Sequence, residues 1–425
     1  MSVAVGSLRF NAVELIALND TKRIDLTNSV VFIDYFEDIL SPCVTMNMQI
    51  ATGNSIFNTL PIRGGEKVVF DISTATGNFT LDGDYGMYVY KVSGYASDGQ
   101  KEMFTLHLVS REGLTNETSR CQKKYEKLPI NEHVTSILDE VLTTKKYESS
   151  NIERTSNSYS FIGNQKKPFH ILTWLGPKGI PSTGSSGTSG ELAKGVAGFL
   201  FYETKDGFNF KSIDKLVSAT TSGAEDSSVI TYTYNNVIQE NSIQNNFTIL
   251  DYALEKNIDL MKSLRVGMYA NKTYFYDLYT NKLDIYAYYL KNEIRSKLGT
   301  QDDLVIPSGF EESFSRILVR TSDKGTLDPN DIAGSSGRDN ADMAKSFSRY
   351  NLLFTQSLNM VVPCNVNLRA GGVVKAQFPK VESSQQTSLD EEQSGKYLIK
   401  ELRHHFEGNN MVTSLKLVRD SYGLY

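Results

Sequence analysis

Two stretches of this chain, 309 residues apart, carry the same succession of strands and turns, and no other feature constrains the fold as much. Tyr88-Val89-Tyr90-Lys91 matches Tyr397-Leu398-Ile399-Lys400. The same gapless offset pairs Gly99 with Gly408, Leu106 with Leu415, Leu108 with Leu417 and Val109 with Val418, while Thr105 meets Ser414. Upstream, Arg63-Gly64-Gly65 faces Arg369-Ala370-Gly371-Gly372 at an offset two or three residues smaller, as a loop-length difference would produce. Such a repeat places one β unit near each end, with different material between. Two like units in one chain can fill ring positions that two separate subunits would fill, so three chains can imitate a six-fold ring.

Local patterns agree. At 425 residues the chain exceeds what one core organises, so several domains are expected. From Phe10 to Ser110 short stretches alternate between apolar and polar residues, as in Lys67-Val68-Val69-Phe70-Asp71-Ile72. In Phe104-Thr105-Leu106-His107-Leu108 the residues Phe104, Leu106 and Leu108 share one face of a half-buried strand. Tyrosine (23) and phenylalanine (21) are abundant and Asp-Gly turns recur at 82–83, 98–99 and 206–207, which leans the composition toward β structure.

Between the β regions, Ile130, Val134, Ile137, Leu138, Val141 and Leu142 form one stripe at helical spacing and predict an amphipathic helix over 130–146, with Lys145 and Lys146 suited to its C-terminal dipole. A short helix is expected from Pro168 through Phe169, Leu172, Trp174 and Leu175, ended by Gly176-Pro177. Pro181 to Gly190 reads as a mobile loop, and Gly334 to Asp342 as a second flexible stretch. The aromatic-rich hairpin 198–214 follows the first loop. Its turn is either a two-residue Asp206-Gly207 turn or a three-residue Lys205-Asp206-Gly207 loop, and the second gathers Leu200, Tyr202, Phe208 and Phe210 on one face. Phe199, Phe201, Phe208 and Phe210 are expected to bury this sheet against the Phe169 to Leu175 helix. Val229 to Tyr234 reads as a strand, and Met268 to Tyr289 is rich in tyrosine.

Familiar chemistry is missing from the text. Cys43, Cys121 and Cys364 lie far apart and read as free, buried or partly buried thiols, not as a disulfide framework or zinc site. His404 and His405 sit side by side on a strand and point to opposite faces, so they cannot chelate one metal together. His133 is expected to be solvated beside Glu132. Glu391 and Glu392 fall in a polar loop, and Glu203 is expected to bond across strands or cap a chain end, not to act as an acid. The Gly/Ser run lacks the G-K-[ST] ending of a phosphate loop. A net charge of -5 without a basic block disfavours a nucleic-acid binder. Met1 to Asp20 does not read as a secretory signal, and the apolar runs are too short for a spanning helix.

Tyr35-Phe36-Glu37-Asp38-Ile39-Leu40-Ser41-Pro42, Leu60-Pro61-Ile62-Arg63-Gly64-Gly65-Glu66, Lys166-Lys167-Pro168-Phe169 with Trp174-Leu175, and Phe199 to Asp214 resemble, in this order, the baseplate hub proteins of contractile-tailed phages. The helix and hairpin also resemble the hub part of type VI secretion spike proteins. The resemblance covers residues 1–255 and resumes over 350–425. It implies a mainly β fold with an α+β insertion: two tube-like antiparallel β-barrels plus a mixed α/β domain. The expected layout is a first barrel at 1–113, an α+β domain at 114–225, a second, discontinuous barrel at 226–265 and 350–425, and an insertion or extension of the α+β domain at 266–349.

The structural motif implied is Phe169, Trp174, Phe199, Phe201, Tyr202, Glu203, Gly207, Phe208, Phe210 and Asp214, with no catalytic, cofactor or metal residues. The resemblance further implies a non-enzymatic homotrimer, a ring joining a six-fold tail tube protein to a three-fold central spike protein. Tape measure protein and other baseplate proteins are its further neighbours. DNA passes through without specific binding and nothing inserts in a membrane. The location implied is the virion tail baseplate, after synthesis in the host cytoplasm. A tail-associated cell-wall hydrolase and a glycan-binding tail module are the rival readings.

Overall fold

Alternating sequence in the first hundred residues becomes alternating burial. In this computed structural model, which describes residues 9–18, 22–54, 56–182, 196–218, 229–234, 246–255, 259–278, 280–290, 297–299, 313–322, 337–380, 389–408 and 410–423, the chain opens with a run of strands. They are β1 (Arg9–Ile16), β2 (Arg23–Asp25), β3 (Val30–Asp38), β4 (Thr45–Thr52), β5 (Lys67–Thr74), β6 (Gly77–Leu81), β7 (Met87–Ser97) and β8 (Glu102–Ser110), with one short helix, α1 (Ile56–Thr59). Met46, Met48 and Ile50 on β4 face the same core as Val68, Phe70 and Ile72 on β5, as a period of two requires. Phe104, Leu106 and Leu108 are fully buried, in line with their spacing.

The middle of the chain holds α2 (Arg111–Thr118), β9 (Lys124–Pro129), α3 (Ile130–Ser136), β10 (Ser158–Ile162), α4 (Pro168–Leu175), β11 (Phe199–Thr204), β12 (Gly207–Ser212), α5 (Ile213–Ser218), β13 (Thr231–Thr233), β14 (Asp251–Glu255) and α6 (Leu260–Arg265). Next come β15 (Ala270–Asp277), β16 (Lys282–Tyr289), β17 (Arg316–Ser322) and α7 (Gly337–Leu352), and the end returns to strands, β18 (Gln356–Pro363), β19 (Val373–Gln377), β20 (Gly395–Glu407) and β21 (Asn410–Arg419).

Strands from both ends of the chain join in one sheet, so the protein is mainly β. The path of neighbours runs β14-β18-β21-β20-β3-β4-β8-β7-β5-β1-β2, with β6 on β5 and β19 between β20 and β13. The two halves meet where β20 pairs antiparallel with β3, from Glu401 opposite Asp38 to Phe406 opposite Ile33. One core runs beneath this seam, and in it Tyr35, Phe79 and Phe104 pack in the same cluster as Leu358, Tyr397, Phe406 and Leu415.

The repeat read from sequence is also a repeat of topology. β3-β4-β8-β7-β5 and β14-β18-β21-β20-β19 follow the same order of neighbours. β20 carries one extra residue against its hairpin partner, Lys400, and β7 carries one at Tyr90, one position away under the 309 offset, and a second in Gly94-Tyr95, which together oppose Phe104. At the Gly-Gly turn the Gly65 amide donates to the Val89 carbonyl (2.7 Å) and the Val89 amide to that of Glu66 (2.8 Å). At the other turn Gly371 donates to Ile399 (2.9 Å) and Ile399 to Gly372 (2.8 Å). A further segment emerges that the gapless comparison cannot reach. Leu106 pairs with Met48 and Leu415 with Met360, so Asn47-Met48 is equivalent to Asn359-Met360.

Three expectations change. The amphipathic helix begins at Ile130 and buries Ile130, Val134, Ile137, Leu138 and Leu142 as predicted, but its second half widens to a π-helix at Ile137–Val141 and the helix stops at Leu142 rather than 146. Thr143 then takes a left-handed φ of 51°, which no helix continues. His133 is buried, not solvated. It lies on the inner stripe, where its Nε2 meets the Tyr159 carbonyl at 2.6 Å, because one bond to the backbone satisfies a ring that the helix phase carries inward. Of the second flexible stretch, residues 337–342 form the first turns of α7, while 334–336 lie outside the described residues. Tertiary packing of Met343 and Ala344 against Phe275 of β15 stabilises a helix that local propensity does not announce.

In the Gly/Ser stretch, Pro181 bridges to Thr155 and the Ser182 amide donates to the Arg154 carbonyl (3.0 Å), and 183–190 fall outside the described residues. The strand expected at 229–234 is confined to Thr231–Thr233. Among the described residues no helix is long and apolar enough to cross a membrane.

Candidate functional site

The hairpin β11–β12 sits where three parts of the chain meet. Its register differs from both turns read from sequence: Thr204 pairs with Gly207 and Phe201 with Phe210, so the turn residues are Lys205 and Asp206. A shift of one residue in one strand flips that strand's faces. With this register Phe199, Phe201, Phe208 and Phe210 share a face and Leu200 and Tyr202 take the other; the alternative grouping of Leu200 with Phe208 does not occur. Burial decides between the registers. Phe199 stacks on Phe210 (4.6 Å between centroids) and Phe201 on Phe208 (5.5 Å), and Phe169 of α4 leans on Phe201 (6.1 Å) and Phe208 (6.3 Å). Their common cluster includes Ile171, Leu172 and Leu175, as the sequence predicts. Each such aromatic contributes about 2 kcal/mol by burial.

The opposite face belongs to the second β unit. Leu200 and Tyr202 pack with Ile39, Ala370, Leu398 and Val418. The outer edge of β12 is covered by residues 146–153: the Phe208 amide donates to the Lys146 carbonyl (2.7 Å), the Phe210 amide to Asn151 (2.9 Å) and the Glu153 amide back to Phe210 (2.9 Å). Gly207 is required here, since its φ is +112° and a Cβ would lie 2.3 Å from the Lys146 carbonyl oxygen. This explains why Lys146 leaves the helix. Its ammonium makes a buried ion pair with Glu112 at 2.8 Å instead of meeting the helix dipole.

Around the turn, three carboxylates tie the parts together. Glu203 Oε2 accepts from the Val44 amide (3.0 Å) and the Ser110 hydroxyl (2.6 Å), linking the hairpin to the ends of β4 and β8. Burial pushes its carboxyl up to about 7, against the pull of Lys146. Glu37 on β3 accepts from the Lys205 amide (2.6 Å), the Tyr35 hydroxyl (3.0 Å) and the Ala370 amide (2.8 Å), so one side chain holds both the hairpin turn and the second Gly-Gly turn. Burial raises its pKa, opposed by Arg369 and these donors. Asp206 completes the junction with Arg369, whose Nε and Nη2 donate at 2.7 and 3.3 Å.

A second buried junction follows the hairpin. Asp214 Oδ1 accepts from Arg349 Nε of α7 (3.0 Å), and Arg349 Nη1 donates to Asp420 Oδ2 (2.6 Å). Asp214 Oδ2 also accepts from the Val196 amide (2.9 Å), and Asp420 Oδ1 from the Leu298 amide (3.0 Å). The buried arginine bridges two aspartates, so its one positive charge is shared between two carboxylates whose other oxygens accept from backbone donors.

Of the ten motif residues, nine are brought together in the interior. Trp174 is the exception, 39% exposed at the outer end of α4, with the Lys178 ammonium 3.5 Å from its ring centroid. Sequence reasoning missed Glu37, Arg369, Arg349 and Asp420 as junction residues. Glu37 had a legible signal, because it shares the strand phase of Ile33 and Tyr35 and so had to point inward. The other three had none, their partners being remote in sequence.

These carboxylates receive backbone and hydroxyl donors or arginine in closed packing, so the arrangement joins distant parts of the chain. An open groove of about 720 Å³ lies instead on the outer face of the seam, between Phe36, Asp38, Asn359, Glu401, Arg403 and Lys416. His404 and His405 do point to opposite sides of β20, His404 to Thr413 in the core (2.9 Å) and His405 to Asp34 outside (2.7 Å).

No family model matches this chain. In sequence it is similar to a protein of Vibrio phage KVP40 named a probable baseplate hub protein, 25% identical over 310 residues that span 70% of this chain and 67% of that protein. In fold it is similar to a tail protein from Neisseria meningitidis MC58 (TM-score 0.54, 12% identity, 98% of each chain). It is also similar to the 43 kDa tail protein of prophage MuSo2 from Shewanella oneidensis (TM-score 0.51, 8% identity, 98% of this chain and all of that one). The resemblance noted in the sequence thus extends to a phage baseplate hub relative and to the fold of phage tail proteins.

Proposed function

We propose that this chain is the structural hub of a phage tail baseplate: a homotrimer that joins a six-fold tail tube to a three-fold central spike and lets the genome pass. The observation that carries the reading is the duplicated strand order within one chain, β3-β4-β8-β7-β5 and β14-β18-β21-β20-β19. Two like units per protomer give a trimer six similar positions on one face, which suits a six-fold partner, while the hairpin and its helices occur once and supply three-fold contacts. The division into a barrel at 1–113, an α+β domain at 114–225 with its extension at 266–349, and a second barrel at 226–265 and 350–425 belongs to the same reading. So do partnership with tube, spike, tape measure and other baseplate proteins, a non-enzymatic role, and residence in the virion after synthesis in the host cytoplasm.

The junctions described above make mechanical sense in it. Glu37, Glu203 and Asp214 lock the once-only domain to both repeated units, so load is carried between them without a flexible linker. Passage of a polyanion requires a wall that does not trap it, and the net charge of -5 suits a neutral to negative lumen. Light scattering of the purified protein tests the reading, with a trimer expected. A stable dimer overturns it. Clearing of a peptidoglycan suspension would replace it with the hydrolase reading, and specific capture on a glycan array with the glycan-binding one.

A further inference from the structure

Resting on the homotrimer reading, we infer that protomers join edge to edge, β7 of one pairing antiparallel with β14 of the next in a register set by the seam inside the chain. Both edges are open among the described residues. β7 pairs with β5 only through Met87 and Tyr88, so from Lys91 to Ser97 one side is taken by β8 and the other is bare. β14 pairs with β18 on one side, and no other described strand adjoins it. Bare edges present unpaired N–H and C=O groups and invite a strand from another chain.

The topological repeat says which strand fits. Within the chain, β20 pairs with β19 through its first residues and with β3 through its last. β7 is the equivalent of β20, and β14 the equivalent of β3. The pairing of β20 with β3 therefore has one unfilled counterpart, β7 with β14, which a second copy of the chain can supply.

The register follows residue by residue. Leu106 and Leu415 are equivalent, hence so are their partners Met48 and Met360, and in turn Ile33 and Tyr252. Asp34 then corresponds to Ala253 and Tyr35 to Leu254. On the other strand Phe406 faces Met411 and His405 faces Val412, as Ser97 faces Glu102 and Ala96 faces Met103, so Phe406 and His405 correspond to Ser97 and Ala96, while the place of His404 is taken by the irregularity at Gly94-Tyr95. In the seam Phe406 faces Ile33, His405 faces Asp34 and His404 faces Tyr35. Carried across, Ser97 faces Tyr252 of the next protomer and Ala96 faces Ala253, and Leu254 meets the Gly94-Tyr95 irregularity.

Side chains along these edges remain partly open to solvent. Tyr95 meets Phe57 edge-on at 5.2 Å yet is 55% exposed, whereas His404, at the same level of β20, is fully buried and stacked with Tyr35 at 6.2 Å. Leu254 of the next protomer, equivalent to Tyr35, would reach the exposed side of the Gly94-Tyr95 irregularity. Ala96 opposite Ala253 brings two small exposed residues together without a charge clash. The contact is head-to-tail, so it must close on itself, and three protomers with two units each close a ring of six.

Cysteines at the paired alanines test this. Directly opposed antiparallel residues lie about 4.5 to 5.5 Å apart at Cα, within disulfide reach, and of the native thiols Cys121 and Cys364 are buried and Cys43 half-buried. Under mild oxidation the full-length double variant Ala96→Cys/Ala253→Cys should give covalent dimers and trimers on a non-reducing gel, nothing larger, all lost on reduction. Either single variant should stay at protomer mass, and Ala96→Cys/Glu255→Cys, two residues out of register, should link far less. A trimer by light scattering without the 96–253 link overturns the edge pairing and leaves the homotrimer standing. Stronger linkage by the mismatched pair overturns the register. Bands beyond the trimer support the pairing and overturn the closed ring, and an unlinked monomer up to the solubility limit overturns both.

Discussion

Glu203 is the carboxylate on which the hairpin junction turns, and its titration gives a sharp test. Burial raises it from 4.5 to about 7, so the folded state holds a proton that the unfolded chain releases earlier. Stability from this group is therefore fully present below about 4.5, falls as pH rises toward 7, and levels off above. A difference of 2.5 in pKa at about 1.4 kcal/mol each corresponds to about 3 kcal/mol. Glu203→Gln keeps the shape and stays neutral, so it lacks this slope. Other buried carboxyls such as Glu37 titrate in both proteins and cancel in the difference. The single tryptophan, Trp174, sits on Tyr159 and Phe161 (5.8 and 5.6 Å between centroids) and reports on this part of the molecule. Urea unfolding followed by tryptophan fluorescence at several pH values from 4.5 to 8 should show the stability difference between wild type and variant changing by about 3 kcal/mol, in the variant's favour as pH rises. A difference constant to about 0.5 kcal/mol across that range would refute a buried, proton-holding Glu203.

Other perturbations follow from the same junctions. Arg349→Met strips two buried aspartates of their shared counter-charge and should cost about 3 to 5 kcal/mol in urea unfolding, most of it recovered in Arg349→Met/Asp214→Asn/Asp420→Asn; no recovery would sink the account of an arginine-bridged pair. Gly371→Ala places a Cβ 2.2 Å from the Tyr202 hydroxyl at a φ of +81°, and should lower thermal stability by about 1 to 3 kcal/mol with partial rescue by Tyr202→Phe, while simple additivity of the two changes would argue against the contact. Phe210→Ala, in the stacked face of the hairpin, should cost about 3 to 5 kcal/mol, measured by the same unfolding. Isolated protein should not retard duplex DNA in a gel at low salt, and tight, salt-sensitive binding would contradict a neutral to negative lumen.

The sequence alone carried whatever depends on local periodicity. Alternation placed Phe104, Leu106 and Leu108 in the core, helical spacing found the stripe from Ile130 to Leu142 and the helix starting at Pro168, and the 309 offset revealed two units before any strand was paired. It could not choose among hairpin registers. A turn containing Lys205, Asp206 and Gly207 tolerates several, and the choice fell to which set of aromatics meets α4 and how closely Gly207 approaches Lys146. Nor could it see the junctions. Glu37 meets Ala370 and Arg349 meets Asp214 and Asp420 across 333, 135 and 71 residues of chain, and nothing local marks such partners. His133 and Lys146 looked like surface residues because solvation is the usual fate of their kind. Only the tertiary structure supplied the carbonyl of Tyr159 and the carboxylate of Glu112 that make their burial affordable. Periodicity is written along one strand or helix at a time, whereas pairing energies depend on which surfaces are brought together, and that is decided by the packing of the whole chain.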